Sequence, residues 1–149
     1  MLNRIANKEG LTLEKEAVDA LIYISEGDMR KAINLLQSAA IENKRITEKL
    51  IYSISSFARP KEIKEMLSKA LNGEFTKARE ILNNLFYEYG MSGEDIIMQI
   101  YREVLNLKIE EIKKAKLLDI IGEFNFRIVE GANERIQLEA LLARLATTW

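Results

Sequence analysis

The 149-residue chain contains no cysteine and no histidine. Disulfides, thiol nucleophiles, imidazole acid–base chemistry and sulfur- or imidazole-bound zinc are therefore excluded. Carboxylates, lysine, arginine, tyrosine and hydroxyls are left to carry any chemistry. Proline occurs once, at Pro60, and strand-forming runs are scarce. No stretch approaches the roughly 20 apolar residues of a membrane span. The opening MLNRIANKEG lacks the apolar segment of a secretory signal. An excess of one charge is missing too: 22 basic residues face 23 acidic ones, for a net charge of -1. Neither half hides a basic domain, with 8 basic and 8 acidic residues in 1–55 and 14 and 15 in the remainder. This balance argues against a strongly electrostatic nucleic-acid binder. The expectation is a soluble protein of the cytoplasm, a reducing compartment.

What is present reads at helical period almost throughout. Leu2, Ile5 and Ala6 start a short apolar face. Thr12 is expected to cap a second helix carrying Ala17, Leu21, Ile22 and Ile24. Gly27 suits its left-handed end, and Asp28 caps the next helix at once. The apolar set there is Met29, Ile33, Leu36 and Ala40. Thr47 opens a short helix to about Ile54. The stretch SSFARP, Ser55 to Pro60, then forms a tight junction, with Pro60 in a first helical turn and Arg59 pushed to extended backbone. Further helices are predicted at about 60–72, 75–89, 93–107, 110–129 and 134–147. Gly73 and Gly90 act as stops, Ser92 with Asp95 resembles a capping box, and Asn133 caps the last helix.

Arg30 and Lys31 place two cations in the first turn of the helix that Asp28 caps. A cation there costs about 0.3–1 kcal/mol against the helix dipole unless an anion arrives. Backbone N–H groups at that end favour such an anion, and a guanidinium can grip a phosphate with two donors. An arginine paired with Asp28 or Glu26 and simply solvated is the plain alternative. Asn34, four residues on, shares the face of Arg30. The carboxylates Glu14–Glu16 and Glu110–Glu111 do not face each other on a helix and read as solvated. Lys113, Lys114 and Lys116 are offset by neighbouring acids. Phe75, Phe86, Tyr87 and Tyr89 are expected in the core. In the last helix Leu138, Leu141, Leu142 and Leu145 form one stripe. Ala140, Ala143 and Ala146 widen it, enough to serve either the domain's own packing or a second subunit.

The stretch SEGDMRKAINLLQSAA resembles the sensor-2 segment of replication factor C small subunits, clamp loaders of the AAA+ ATPase class. IVEGANERIQLEALLARLA resembles their last collar helix, and RIANKEGLTLEKEAVDALIYI is similar to the lid helices before sensor 2. The resemblance implies an all-α chain, with residues 1–54 the C-terminal part of an AAA+ lid and residues 56–149 a collar domain used for oligomerisation. It places Arg30 on the arginine that reaches the phosphates of bound ATP, with Asn34 a weaker candidate. The chain has no GxxxxGK[ST] loop and no acidic magnesium motif, so it is expected to be a fragment, not an enzyme by itself and without a cofactor of its own. ATP and Mg2+ would belong to the full-length protein. Other clamp-loader subunits, small and large, would be partners through the collar. The sliding clamp and primer-template DNA would be met only by the complete complex, and no membrane is involved. A stand-alone helical interaction domain, or the equivalent part of another AAA+ protein, is the alternative.

Overall fold

A computed structural model describes residues 1–148. The chain divides into two compact units, Met1–Phe57 and a second that begins at Ala58.

The first unit runs α1 (Leu2–Lys8), β1 (Thr12–Leu13), α2 (Lys15–Ser25), α3 (Met29–Glu42), β2 (Arg45–Ile46) and α4 (Glu48–Ser55). Thr12 is not a helix cap. Its N–H donates to the Lys44 carbonyl at 2.9 Å, and β1 pairs in parallel with β2, Thr12 opposite Arg45 and Leu13 opposite Ile46. The cause is burial: Ile46 is fully enclosed, and pairing satisfies the backbone that it carries inward. The α2 helix starts later, with Glu14 as N-cap, and the Glu14 carboxylate instead accepts from Arg45 Nε at 2.9 Å. At the far end Glu26 (φ 53°) and Gly27 (φ 80°) are both left-handed, so the turn begins one residue before the glycine.

Helices α2, α3 and α4 pack on one another. On α3 the buried residues are Ala32, Leu36 and Ala39. The expected set of Met29, Ile33, Leu36 and Ala40 is thus rotated by about one residue: Met29 is 40% exposed, and Ile33 and Ala40 are half-buried. Alanines take the inner positions because they let the neighbouring helix come close. Thr47 caps α4 as expected, its hydroxyl accepting from Leu50 N at 3.2 Å.

The second unit is a bundle of α5 (Pro60–Leu71), α6 (Phe75–Tyr87), α7 (Gly93–Leu105), α8 (Glu111–Val129) and α9 (Glu134–Thr148). Pro60 sits in the first turn of α5 after an extended Arg59. Ser92 caps α7 through Asp95 N at 3.1 Å, and Asn133 accepts from Ile136 N at 3.0 Å. The α9 helix touches α5, α6, α7 and α8. Its four leucines, 138, 141, 142 and 145, are fully buried. At about 1.5–3 kcal/mol per enclosed side chain, this stripe makes α9 the spine of the unit. Of the alanines beside it, Ala140 is exposed while Ala143 and Ala146 are half-buried.

One feature of this unit departs from expectation. Tyr87 is exposed rather than core; the Arg135 guanidinium lies 5.1 Å from its ring centroid and donates to its hydroxyl. Phe75, Phe86 and Tyr89 do pack on the core, partly buried. The Gly93 N–H, at the start of α7, donates to Glu134 Oε2 at 2.8 Å and ties it to the start of α9. Among the described residues, no helix is long and apolar enough to cross a membrane.

Candidate functional site

The first turn of α3 is built by Asp28. Its carboxylate accepts from Arg30 N at 3.0 Å and Lys31 N at 3.4 Å. The backbone donors that the sequence suggested for an external anion are therefore already engaged. What remains for a ligand is the pair of cationic side chains, Arg30 and Lys31, both exposed. Arg30 is exposed, and among the described residues its guanidinium makes no hydrogen bond or ion pair. The simple pairing with Asp28 or Glu26 is not formed: Asp28 serves the backbone instead.

The buried line of α3 fixes what its other side presents. Arg30, Asn34, Gln37 and Ile41 fall at i, i+4, i+7 and i+11, opposite Ala32, Leu36 and Ala39. All four are exposed, Ile41 at 86%. Asn34 and Arg30 thus share a face, as spacing predicts, with no bond between their side chains among the described residues. The reading from sequence missed Ile41, although the same spacing that joins Arg30 to Asn34 extends to it. An isoleucine at the end of a polar face is the signal that was available.

The fit of Arg30 to a phosphate rests on charge and access: an uncommitted planar cation at a helix start can donate twice to one anion. Among the described residues, no cluster of acidic side chains could hold a metal ion.

In the second unit the polar groups are mostly paired with each other. Glu123 joins Arg127 and Arg144, which both lie about 5 Å from the Phe124 ring centroid. Hydrogen bonding from Arg144, opposed in part by desolvation, holds the Glu123 carboxyl below the usual range. Tyr89 donates to Glu62, and burial together with that acceptor pushes its hydroxyl up to about 12. Lys114 donates to the Leu105 carbonyl at 3.0 Å, so this member of the basic cluster closes the end of α7. The surface between α7 and α8 is different. Met98, Tyr101 and Leu105 stand exposed along α7, beside a groove of about 260 Å³ that Leu118, Ile121, Gly122 and Asn125 border from α8. These exposed apolar side chains lie in a line along α7 rather than scattered singly, the pattern common at contact surfaces.

A short helical lid-like unit followed by a helical bundle is the arrangement of a lid and collar in the AAA+ class, and two family models match it. Residues 1–50 match the RFC1-like, AAA+ ATPase lid domain, and residues 58–144 match the Replication factor C C-terminal domain. The chain belongs to the replication factor C family. A replication factor C small subunit of Methanococcus maripaludis is 59% identical over 97% of this chain and 46% of that protein. One of Methanocaldococcus jannaschii is 57% identical over 97% of the chain and 8% of that protein. The Pyrococcus furiosus small subunit is 55% identical over 96% of the chain and 17% of that protein. The chain thus spans less than half the length of these curated relatives.

Proposed function

We propose that this chain is the lid and collar portion of a clamp-loader small subunit. Residues 1–54 serve as lid and residues 56–149 as collar, and Arg30 is the nucleotide-sensing arginine. The observation that carries this reading is the state of Arg30: exposed, uncommitted, and set in a helix start whose backbone donors Asp28 already occupies. When bound, ATP supplies the triphosphate whose charge this cation answers. Arg30 binds and orients a phosphate through its two donor edges, and Asn34 on the same face contributes a weaker polar contact. The phosphate loop, the magnesium ligands and catalysis of hydrolysis belong to the rest of the longer protein. The collar joins the subunit to its small and large neighbours, with the apolar surface of α7 and α8 as a contact. The sliding clamp and primer-template DNA are met by the assembled complex.

The test is reconstitution. This chain is combined with the N-terminal part of a replication factor C small subunit and the other subunits, and ATP affinity, turnover and clamp loading are measured. Arg30→Ala is expected to weaken ATP binding or turnover about 10-fold or more, as loss of a charge-assisted contact of ~1.5–3 kcal/mol requires. Unchanged binding and turnover, with assembly intact, would refute the sensor role.

A further inference from the structure

Gly122 lies near the middle of α8, where a glycine destabilises the helix relative to alanine. Its φ is not in the left-handed region, so no turn calls for it. A Cβ added there would meet nothing within 4 Å, so no close neighbour inside the unit calls for it either. Gly122 borders the groove between α7 and α8, beside Met98 and Tyr101. Placed there, the missing side chain lets a second backbone come close from outside.

The rest of α8 agrees with that placement. Its inner side buries Leu117, Ile120, Ile121, Phe124 and Ile128. A second apolar row, Ala115, Leu118, Gly122, Phe126 and Val129, follows at i, i+3, i+7, i+11 and i+14. Phe126 in this row is 65% exposed and Val129 62%. A helix that is apolar on two sides packs on two sides, and steps of three and four residues are those of a helix–helix seam. The row also complements itself. Where two α8 helices cross antiparallel at Gly122, residues equidistant from it meet. Val129 of each then faces Ala115 of the other, and Phe126 faces Leu118. Lys116 of each comes beside Glu130 of the other, which sets opposite charges together at both ends of the seam. Both of these side chains are exposed and make no ion pair among the described residues.

We propose that the outer face of α8 is a self-recognition surface, on which two copies of this chain pair antiparallel about a two-fold axis with Gly122 at the crossing. Met98 and Tyr101 of α7 flank the seam. A two-fold contact uses the same patch on both copies and closes at two. The proposal rests on the reading above only in taking the α7–α8 surface as a contact, and it names the partner as a second copy.

The test uses the whole chain in solution. Sedimentation velocity over a concentration series should show a reversible monomer–dimer equilibrium. Gly122→Gln puts a side chain at the crossing but into open space in the single chain. It should raise the dissociation constant about 10-fold or more and leave the melting temperature of the monomer equal or higher. The chain has no cysteine, so Gly122→Cys supplies a single thiol. Under a mild oxidant it should form a disulfide-linked dimer, because the two-fold crossing brings the two Cα atoms within about 7 Å of each other. Thr76→Cys, exposed on α6, should not. A chain that stays monomeric throughout overturns the proposal, as does a dimer that Gly122→Gln leaves unchanged or that Gly122→Cys does not cross-link. Growth beyond the dimer overturns it too, since that marks a head-to-tail contact. If Gly122→Gln does not fold, Phe126→Gln decides, with the same loss of pairing expected. Arg30→Ala should pair like the parent. Pairing is read in this chain alone and clamp loading in the reconstituted complex, so failure of one is told apart from failure of the other.

Discussion

Gly93→Ala is the substitution for which the packing makes the firmest demand. Gly93 is the first residue of α7, and its φ is not in the left-handed region, so alanine is compatible with its backbone. Local considerations therefore favour the change, by about 0.4–1 kcal/mol through a less flexible unfolded chain. The surroundings oppose it. An added methyl would lie 2.5 Å from Glu134 Cβ and 2.9 Å from its Cγ and Cδ. Glu134 Cβ is fixed to the α9 backbone and cannot swing away, so the two helix starts must separate. Overpacking of this kind costs about 1–3 kcal/mol. Separation also weakens the bond from Gly93 N to the Glu134 carboxylate, of a type contributing about 1.5–3 kcal/mol. The net expectation is a loss of roughly 2–4 kcal/mol from these terms together. For a unit of this size, that lowers the melting temperature by about 10–25 °C. Urea unfolding by circular dichroism, with amide exchange in α7 and α9 to assign the transition, measures it. A neutral or stabilised Gly93→Ala would mean that helix preference wins and that the α7 and α9 starts are not in such close contact.

Further outcomes follow from other parts of the chain. Leu36→Ala should destabilise the first unit by about 2–5 kcal/mol, whereas Met29→Ala should stay within about 0.5 kcal/mol; equal effects in denaturant melts would restore the unrotated face of α3. Asp28→Ala should cost about 0.5–2 kcal/mol of α3 stability through loss of the cap, seen as lower helicity and a lower urea midpoint. In the chain alone Arg30→Ala should leave stability unchanged or raise it by up to about 1 kcal/mol, since it removes a cation from the positive helix end. Tyr89 has a folded-state value of about 12, above its ordinary value of 10.0. Its contribution is thus fully present below pH 10 and is lost as pH rises through about 12. Alkaline titration of tyrosinate absorbance, Tyr89→Phe subtracted from the parent, should show that late step.

Local chemistry made most of the helices legible. Asp28, Thr47, Ser92 and Asn133 each place an oxygen on a nearby N–H, a relation spanning two or three residues that sequence alone displays. The leucine stripe of α9 was equally plain, because four large apolar residues at helical spacing have one place to go. Hidden features depend on distant partners. The pairing of Thr12–Leu13 with Arg45–Ile46 involves two residues a side, too few for any period to register. The rotation of α3 follows from how closely its neighbours approach, which favours Ala32 and Ala39 over the larger Met29. Gln99 looks like an exposed residue in a row of isoleucines until Ala58, 41 positions earlier, comes to meet it. Arg30 was visible as an oddity of charge. The Asp28 cap, also read from the sequence, carries with it that the N–H groups of Arg30 and Lys31 are taken.

This last point changes what the helix start can do. An open helix N-terminus binds an anion with its own N–H groups, and such a site would work in isolation. At α3 the Asp28 carboxylate occupies the N–H groups of Arg30 and Lys31 and offsets the dipole locally. Folding of α3 therefore needs no ligand, and a phosphate approaching it meets a carboxylate as well as two cations. A single exposed guanidinium in water contributes about 0–1 kcal/mol to an ion pair, far short of holding a nucleotide. Its contribution grows only when a second surface excludes water and brings the phosphate to it. Under the proposed reading, Arg30 would therefore answer a nucleotide held elsewhere rather than capture one. The first-turn carboxylate is what keeps the helix intact in both conditions, with the arginine engaged or idle.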